Sequence, residues 1–317
     1  MINVHDLRKT FPQKKGEDIV AVDGVSFDVG AGEIVGFLGP NGAGKTTTLR
    51  MLATLLSPTA GRATVADCDL LADPGGVRRR IGYVAQGGGS DKTATVNEEL
   101  IVQARLYGMA KITAQASVRD WVERLDLTGL ENRRCKTLSG GQRRRLDVAL
   151  GMVHGPLVVF LDEPTTGLDP QSRANLWDHV RRLREQNGTT VFITTHYMDE
   201  ADALSDRLLV IDQGKIVAEG TPDDLKRNIQ GDILMVVVND AERAAEILRV
   251  AEPVVDAEAD GKTVRAHVRD GERSALGLLN LLTDSGITVE SFGVARPSLD
   301  DVFLTLTGRS LREQNAA

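Results

Sequence analysis

The segment Gly39-Pro40-Asn41-Gly42-Ala43-Gly44-Lys45-Thr46 has the spacing G-x-x-x-x-G-K-[ST]. It lies between an apolar strand (Ile34, Val35, Phe37, Leu38) and a helical stretch from Thr46 to Leu56. A glycine-rich turn that joins strand to helix confines the chain to α/β folds, with the loop delivered to a helix N-terminus. Backbone N–H groups of such a loop converge on phosphate oxygens at the positive end of the helix. Lys45 reaches the outer phosphates as a point charge, and the Thr46 hydroxyl suits Mg²⁺. The apolar run Leu157 to Leu161 then ends in Asp162-Glu163. Loop and carboxylates together predict a chain that binds a nucleoside triphosphate with Mg²⁺ and hydrolyses it.

At 317 residues the chain has room for one large or two modest domains, and 41% hydrophobic with 26% charged residues is a globular composition. Thirty-eight basic against 45 acidic residues (net −7) argue against a nucleic-acid footprint, and 4% aromatic residues argue against base-stacking platforms. Cys68 and Cys135 have no metal or redox spacing and read as reduced residues of a cytoplasmic protein. The start, Met1 to Asp6, lacks signal-peptide organisation, and no uncharged apolar stretch approaches the ~20 residues that span a bilayer. Work at a membrane is therefore expected from its cytoplasmic face, through a partner.

Strands are expected at 2–10 and 19–29, near 63–66, at 81–84, 157–161 and 190–194, with a hairpin around Asp212-Gln213-Gly214. Residues from about 95 to 152 are helical and lack strand alternation, and a helix is expected from Gln171 to Gln186. After Thr221-Pro222-Asp223-Asp224 the order strand, helix, two strands, helix, strand suggests a small ferredoxin-like domain. A final helix follows Ser298, and 310–317 is expected to be a loose tail.

Between the loop and the carboxylates lies Leu138-Ser139-Gly140-Gly141-Gln142. With it the chain resembles, over residues 2 to about 228, the ATP-binding subunit of ATP-binding-cassette (ABC) proteins. The phosphate loop, a lone Gln86 after a strand, Leu-Ser-Gly-Gly-Gln, Asp162-Glu163, Gly167-Leu168-Asp169 and His196 after a strand occur in that family's order. The resemblance implies a P-loop NTPase cassette at 1–228, with a mixed sheet core, an antiparallel β subdomain and a helical lobe at about 95–152. A small α+β domain would follow at 229–309. The run Gly87-Gly88-Gly89 departs from the family pattern and is expected to loosen the loop after Gln86.

The resemblance also implies roles. ATP lies along Gly39 to Thr46 and the adjoining Thr47. Ser139, Gly140, Gly141 and Gln142, at a helix starting near Gln142, form a second anion site for the γ-phosphate of an opposite subunit, so that ATP joins two head-to-tail cassettes. An N-cap with a flexible glycine pair is the plain structural alternative. Asp162 holds Mg²⁺ through water, with Thr46 and Gln86 as further ligands, and Glu163 polarises the attacking water. His196 donates to the γ-phosphate, and Gln86 reports occupancy to the helical lobe. Solvated side chains are the alternatives for Glu163 and Gln86. Asp169 crosses the dimer interface, although an N-cap before Pro170 explains it as well. Phe11 either stacks on adenine or belongs to the core. The arginine runs 78–80 and 143–145 read as solvated faces.

The ending Pro297 to Gly308, with Leu299-Asp300-Asp301-Val302-Phe303, resembles ATP-binding subunits of the daunorubicin-resistance type, as does Arg143-Arg144-Arg145-Leu146. That resemblance implies an ATPase subunit driving a separate membrane permease of an exporter for drugs, lipids or other hydrophobic compounds. A soluble ABC ATPase and an importer subunit are the alternatives, and the cargo is not written in a cassette.

Overall fold

Three strands of this chain are buried at every position: Ile34–Leu38, Val158–Asp162 and Thr190–Thr195. Strands apolar on both faces belong in the middle of a parallel sheet. The computed structural model describes residues 1–14, 16–227 and 231–307, and the expected tail at 310–317 lies outside them. The chain divides into two compact units between Pro222 and Asp223, ahead of the boundary at 228/229 expected from sequence.

The first unit begins with β1 (Ile2–Phe11) and β2 (Ile19–Val29), then β3 (Ile34–Leu38), α1 (Lys45–Leu52), β4 (Ala60–Val65), β5 (Cys68–Asp69), α2 (Pro74–Arg80) and β6 (Ile81–Val84). Three helices follow, α3 (Val96–Leu106), α4 (Lys111–Arg124) and α5 (Gly140–Met152). It ends with β7 (Val158–Asp162), α6 (Pro170–Asn187), β8 (Thr190–Thr195), α7 (Met198–Leu204), β9 (Arg207–Asp212) and β10 (Lys215–Gly220). The main sheet has the order β10-β9-β3-β8-β7-β6, parallel except for the β9–β10 hairpin, and an antiparallel sheet has the order β2-β1-β4-β5. The mixed core, antiparallel sheet and helical lobe implied by the family resemblance are all present.

Four phenylalanines join the two sheets. Phe27 of β2 lies 6.0 Å from Phe37 of β3 and 5.8 Å from Phe192 of β8, with Phe160 of β7 5.9 Å from Phe192. Each such pair contributes about 0.5–1.5 kcal/mol beyond its buried area. The helical lobe starts at a capping box, Thr95 with Glu98, and packs Val96, Leu100, Val118, Trp121 and Leu146 into one core.

Local details differ from expectation, among them the end of α1 and the presence of α2. Helix α1 stops at Leu52 rather than Leu56, because Thr54 adopts φ 60° and the N–H groups of Thr54 and Leu55 turn back to Met51 O and Arg50 O. That is a Schellman ending with threonine in glycine's usual place. Helix α2 was not anticipated; Asp73 caps it by accepting from Gly76 N at 2.7 Å, and Pro74 fills its first position.

The division falls after the first residue of α8 (Pro222–Arg227), and the second unit goes on with β11 (Asp232–Val238), α9 (Ala241–Arg249), β12 (Val254–Asp260), β13 (Thr263–Val268), α10 (Gly271–Asp284), β14 (Val289–Ala295) and α11 (Leu299–Thr307). Its antiparallel sheet has the order β12-β13-β11-β14. Leu234, Val236 and Val238 pack with Ala244, Leu248, Leu278 and Leu282 of α9 and α10. Ser298 opens α11 by exchanging bonds with Asp301. Among the described residues no helix is long and apolar enough to cross a membrane.

Candidate active site

The phosphate-loop segment runs from the end of β3 to the first turn of α1. Gly44 stands at φ 106°, and a Cβ there would meet Ala21 O at 2.5 Å, so the turn into α1 requires glycine. Lys45 is 4% exposed and its Nζ donates to Gly39 O (2.7 Å) and Pro40 O (2.9 Å), which folds the side chain back over its own loop. The same ammonium is 3.6 Å from Glu163 Oε1. Burial lowers the Lys45 pKa, and the negative charge of Glu163 is the main opposing influence. Thr46 Oγ1 donates to Asp162 Oδ1 at 2.9 Å; Thr47 is half-buried beside it.

Both carboxylates stand at the C-terminal end of β7. Asp162 is 1% exposed and also accepts from Thr194 Oγ1 at 2.7 Å. Glu163 is 6% exposed and left-handed at φ 43°. Its N–H points at Thr194, and its Oε2 accepts from Gln86 Nε2 (2.8 Å) and Thr166 Oγ1 (3.2 Å). His196 Nδ1 stands 3.2 Å from the same oxygen, off the line of a hydrogen bond. Burial pushes the Glu163 carboxyl up, but His196, Lys45 and Thr166 outweigh it, and the group sits below the ordinary carboxylate value.

Lys45, Thr46, Gln86, Asp162, Glu163 and His196 are thus brought together. Glu163 is therefore not a solvated side chain, whereas Gln86 stays exposed while its amide is bonded to Glu163. The Thr46 hydroxyl, Asp162 carboxylate and the remaining oxygen of Gln86 are hard donors of the kind that suits Mg²⁺, which takes one or two carboxylates alongside substrate phosphates.

Other predicted residues lie elsewhere. Helix α5 begins at Gly140, two residues before expectation, and Ser139 caps it by accepting from Gln142 N while Gln142 Oε1 takes Ser139 N–H. Among the described residues no hydrogen bond is recorded between 139–142 and the phosphate loop. Gly141 lies against Ser172, where a Cβ would come within 2.7 Å of its Oγ. Asp169 caps α6, accepting from Ser172 N (2.9 Å) and Oγ (2.6 Å). Phe11 is not in the core: it ends β1 at 38% exposure, with Lys9 Nζ 5.2 Å from its ring centre.

Sequence reasoning missed three contributors, Thr166, Thr194 and Arg144, of which Thr166 lies three residues past Glu163 and donates to its carboxylate. Thr194 follows from strand register alone, because it pairs with Asp162 across β7 and β8. Arg144 was placed on a solvated face, yet it is 6% exposed and donates to main-chain carbonyls at Ala85, Asp162 and Pro164. Helical phase was the available signal, since 144 shares a buried face with Asp147, Val148 and Gly151.

Residues 22–166 match the ABC transporter family, and residues 220–307 match the family described as ATP-binding protein DrrA1-3-like, C-terminal domain. The daunorubicin resistance ATP-binding protein DrrA2 of Streptomyces coeruleorubidus is 42% identical, over 99% of this chain and 97% of its own. The Nod factor export ATP-binding protein I of Burkholderia lata is 39% identical, over 95% of this chain and 96% of its own. Among solved structures, the dimeric bacterial ABC transporter cassette MJ0796 superposes with a TM-score of 0.64 at 25% identity, covering 70% of this chain and 98% of that one.

Proposed function

The chain belongs to the ATP-binding subunits of ABC transporters, in the daunorubicin-resistance family, and from that membership we propose how its own residues couple ATP hydrolysis to export. The observation that carries the reading is the cluster in which buried Glu163 faces Lys45, Gln86, Thr166 and His196 while buried Asp162 is bonded to Thr46.

In this reading the loop N–H groups from Asn41 to Thr47 cradle the phosphates, with Gly39 and Pro40 shaping the turn, and Lys45 leaves its carbonyl partners to bind the outer ones. Phe11, at the open end of β1, stacks on adenine. Thr46, Asp162 and Gln86 hold Mg²⁺, which when bound neutralises charge on the phosphates. Glu163, kept ionised by its neighbours, orients a water and takes its proton as the water oxygen attacks the γ-phosphorus. The bond from that phosphorus to the bridging oxygen breaks, and ADP leaves with inorganic phosphate. His196 hydrogen-bonds the transferring group. Ser139 and the N–H groups of Gly140, Gly141 and Gln142 complete the site of a second copy, with Asp169 at the same interface, so two ATP molecules join two chains. ATP shifts the open–closed equilibrium only to the extent that it binds the closed pair more tightly, and the contact across the interface supplies that difference.

The closed pair acts on a separate permease at the cytoplasmic face of the membrane. The relatives named for daunorubicin resistance and for Nod factor export support export of a drug, lipid or other hydrophobic cargo. Glu163→Gln tests the core of the proposal. It should retain ATP binding, lose turnover and elute as a dimer from size exclusion in saturating Mg·ATP; a monomer under those conditions would count against the assignment.

A further inference from the structure

We propose that Arg144 is a positioning residue for hydrolysis, whose guanidinium holds the backbone on both sides of Glu163 in register with the backbone before Gln86. The inference rests on the reading of Glu163 as the group that polarises water. Arg144 Nε donates to Pro164 O (2.7 Å), Nη1 to Ala85 O (2.6 Å) and Nη2 to Asp162 O (3.1 Å). Asp162 and Pro164 are the immediate neighbours of Glu163. Ala85 precedes Gln86, whose amide is bonded to the Glu163 carboxylate.

A planar guanidinium presents its donors as a fixed fork, which an ammonium on a flexible stem cannot reproduce. Glu163 needs such a constraint. A left-handed backbone at φ 43° persists only where its surroundings over-determine it, and here the carbonyls on either side are drawn to one group. Asp147, on the same face of α5, completes the arrangement. It is buried, stands 3.9 Å from Arg144 Nη1, and accepts from Gly89 N at 3.4 Å. Gly88, at φ 72°, lies where a Cβ would come within 2.9 Å of Asp147 Oδ2. Gly88 and Gly89 thus bring the loop after Gln86 against Asp147 of α5.

Arg144 and Ser139 are parts of one uninterrupted helix start, with Ser139 as the cap. A shift of that helix when Ser139 meets the nucleotide of a second copy is carried directly to the turn that holds Glu163. The role is one of position: Arg144 spends its donors on main-chain carbonyls, not on substrate.

The test uses the full chain with Mg·ATP, measuring affinity by calorimetry and turnover per binding-competent site. Arg144→Gln should leave Kd unchanged and lower kcat about 100-fold, the scale of loss from a misplaced catalytic group. Arg144→Lys should not rescue it, whereas millimolar guanidinium should partly restore kcat to Arg144→Ala. Asp147→Asn, a milder change that serves if the arginine variants do not fold, should lower kcat in the same direction by a smaller factor. Unchanged kcat, or parallel losses in Kd and kcat that follow loss of folded protein, would overturn the proposal. Glu163→Gln is the control. If it keeps wild-type turnover, the reading of the site fails; if it loses turnover while Arg144→Gln keeps it, only the positioning role fails.

Discussion

Holding Glu163 at φ 43° costs about 1–2 kcal/mol for a residue with a side chain, and the partners of its carboxylate offset that cost. The sign of the pH effect follows. Burial raises the carboxyl's proton affinity, but His196, Lys45 and Thr166 bring it below the ordinary 4.5. A carboxyl depressed on folding contributes stability above its unfolded value and loses that contribution as pH falls through its folded value. The stability of the wild-type chain relative to Glu163→Gln should therefore be constant near neutrality and decline below about pH 4.5, read by thermal melts of both proteins. A difference independent of pH from 7 to about 3 would contradict the ion-pair account. Lys45, Thr46, Asp162 and Glu163 were legible as candidates because their chemistry demands fixed spacing in one short motif or at one strand end. Arg144 was not, because three consecutive arginines look like a solvated face until the helix phase shows which one turns inward.

Helix α1 shows why an element's start was more legible than its end. The glycine-rich loop and Lys45 mark the start, whereas the stop depends on Thr54 adopting φ 60°, a conformation that nothing in a threonine announces. The buried strands β3, β7 and β8 announced themselves as apolar runs; the short α2 hid behind Pro74-Gly75-Gly76, which reads as a turn until Asp73 is seen capping it. The junction of β3 with α1 makes its own prediction. Gly44→Ala would force a side chain into φ 106° with Ala21 O only 2.5 Å from the new Cβ. A strained backbone of this kind costs about 1–3 kcal/mol, so the variant should melt several degrees lower and bind Mg·ATP more weakly. Wild-type melting and affinity would show that the loop tolerates another geometry.

At the scale of the whole molecule, the family match runs through both units, and the relatives it resembles are aligned over nearly their full lengths. The cassette's plan was legible because six motifs occur in one order along the chain. The second unit's α+β character was legible from alternating short strands and helices, but its contribution to transport was not, since its residues carry no comparable chemical pattern. Among the described residues no helix is long and apolar enough to cross a membrane, and the proposed function places cargo movement in a separate permease. The most direct test of that proposal is to co-express the chain with a candidate permease, and to measure membrane recovery and vanadate-sensitive ATPase activity with and without that protein. The account predicts recruitment to membranes and a raised turnover that Glu163→Gln abolishes. A chain that stays off the membrane with the same turnover in both cases would contradict it.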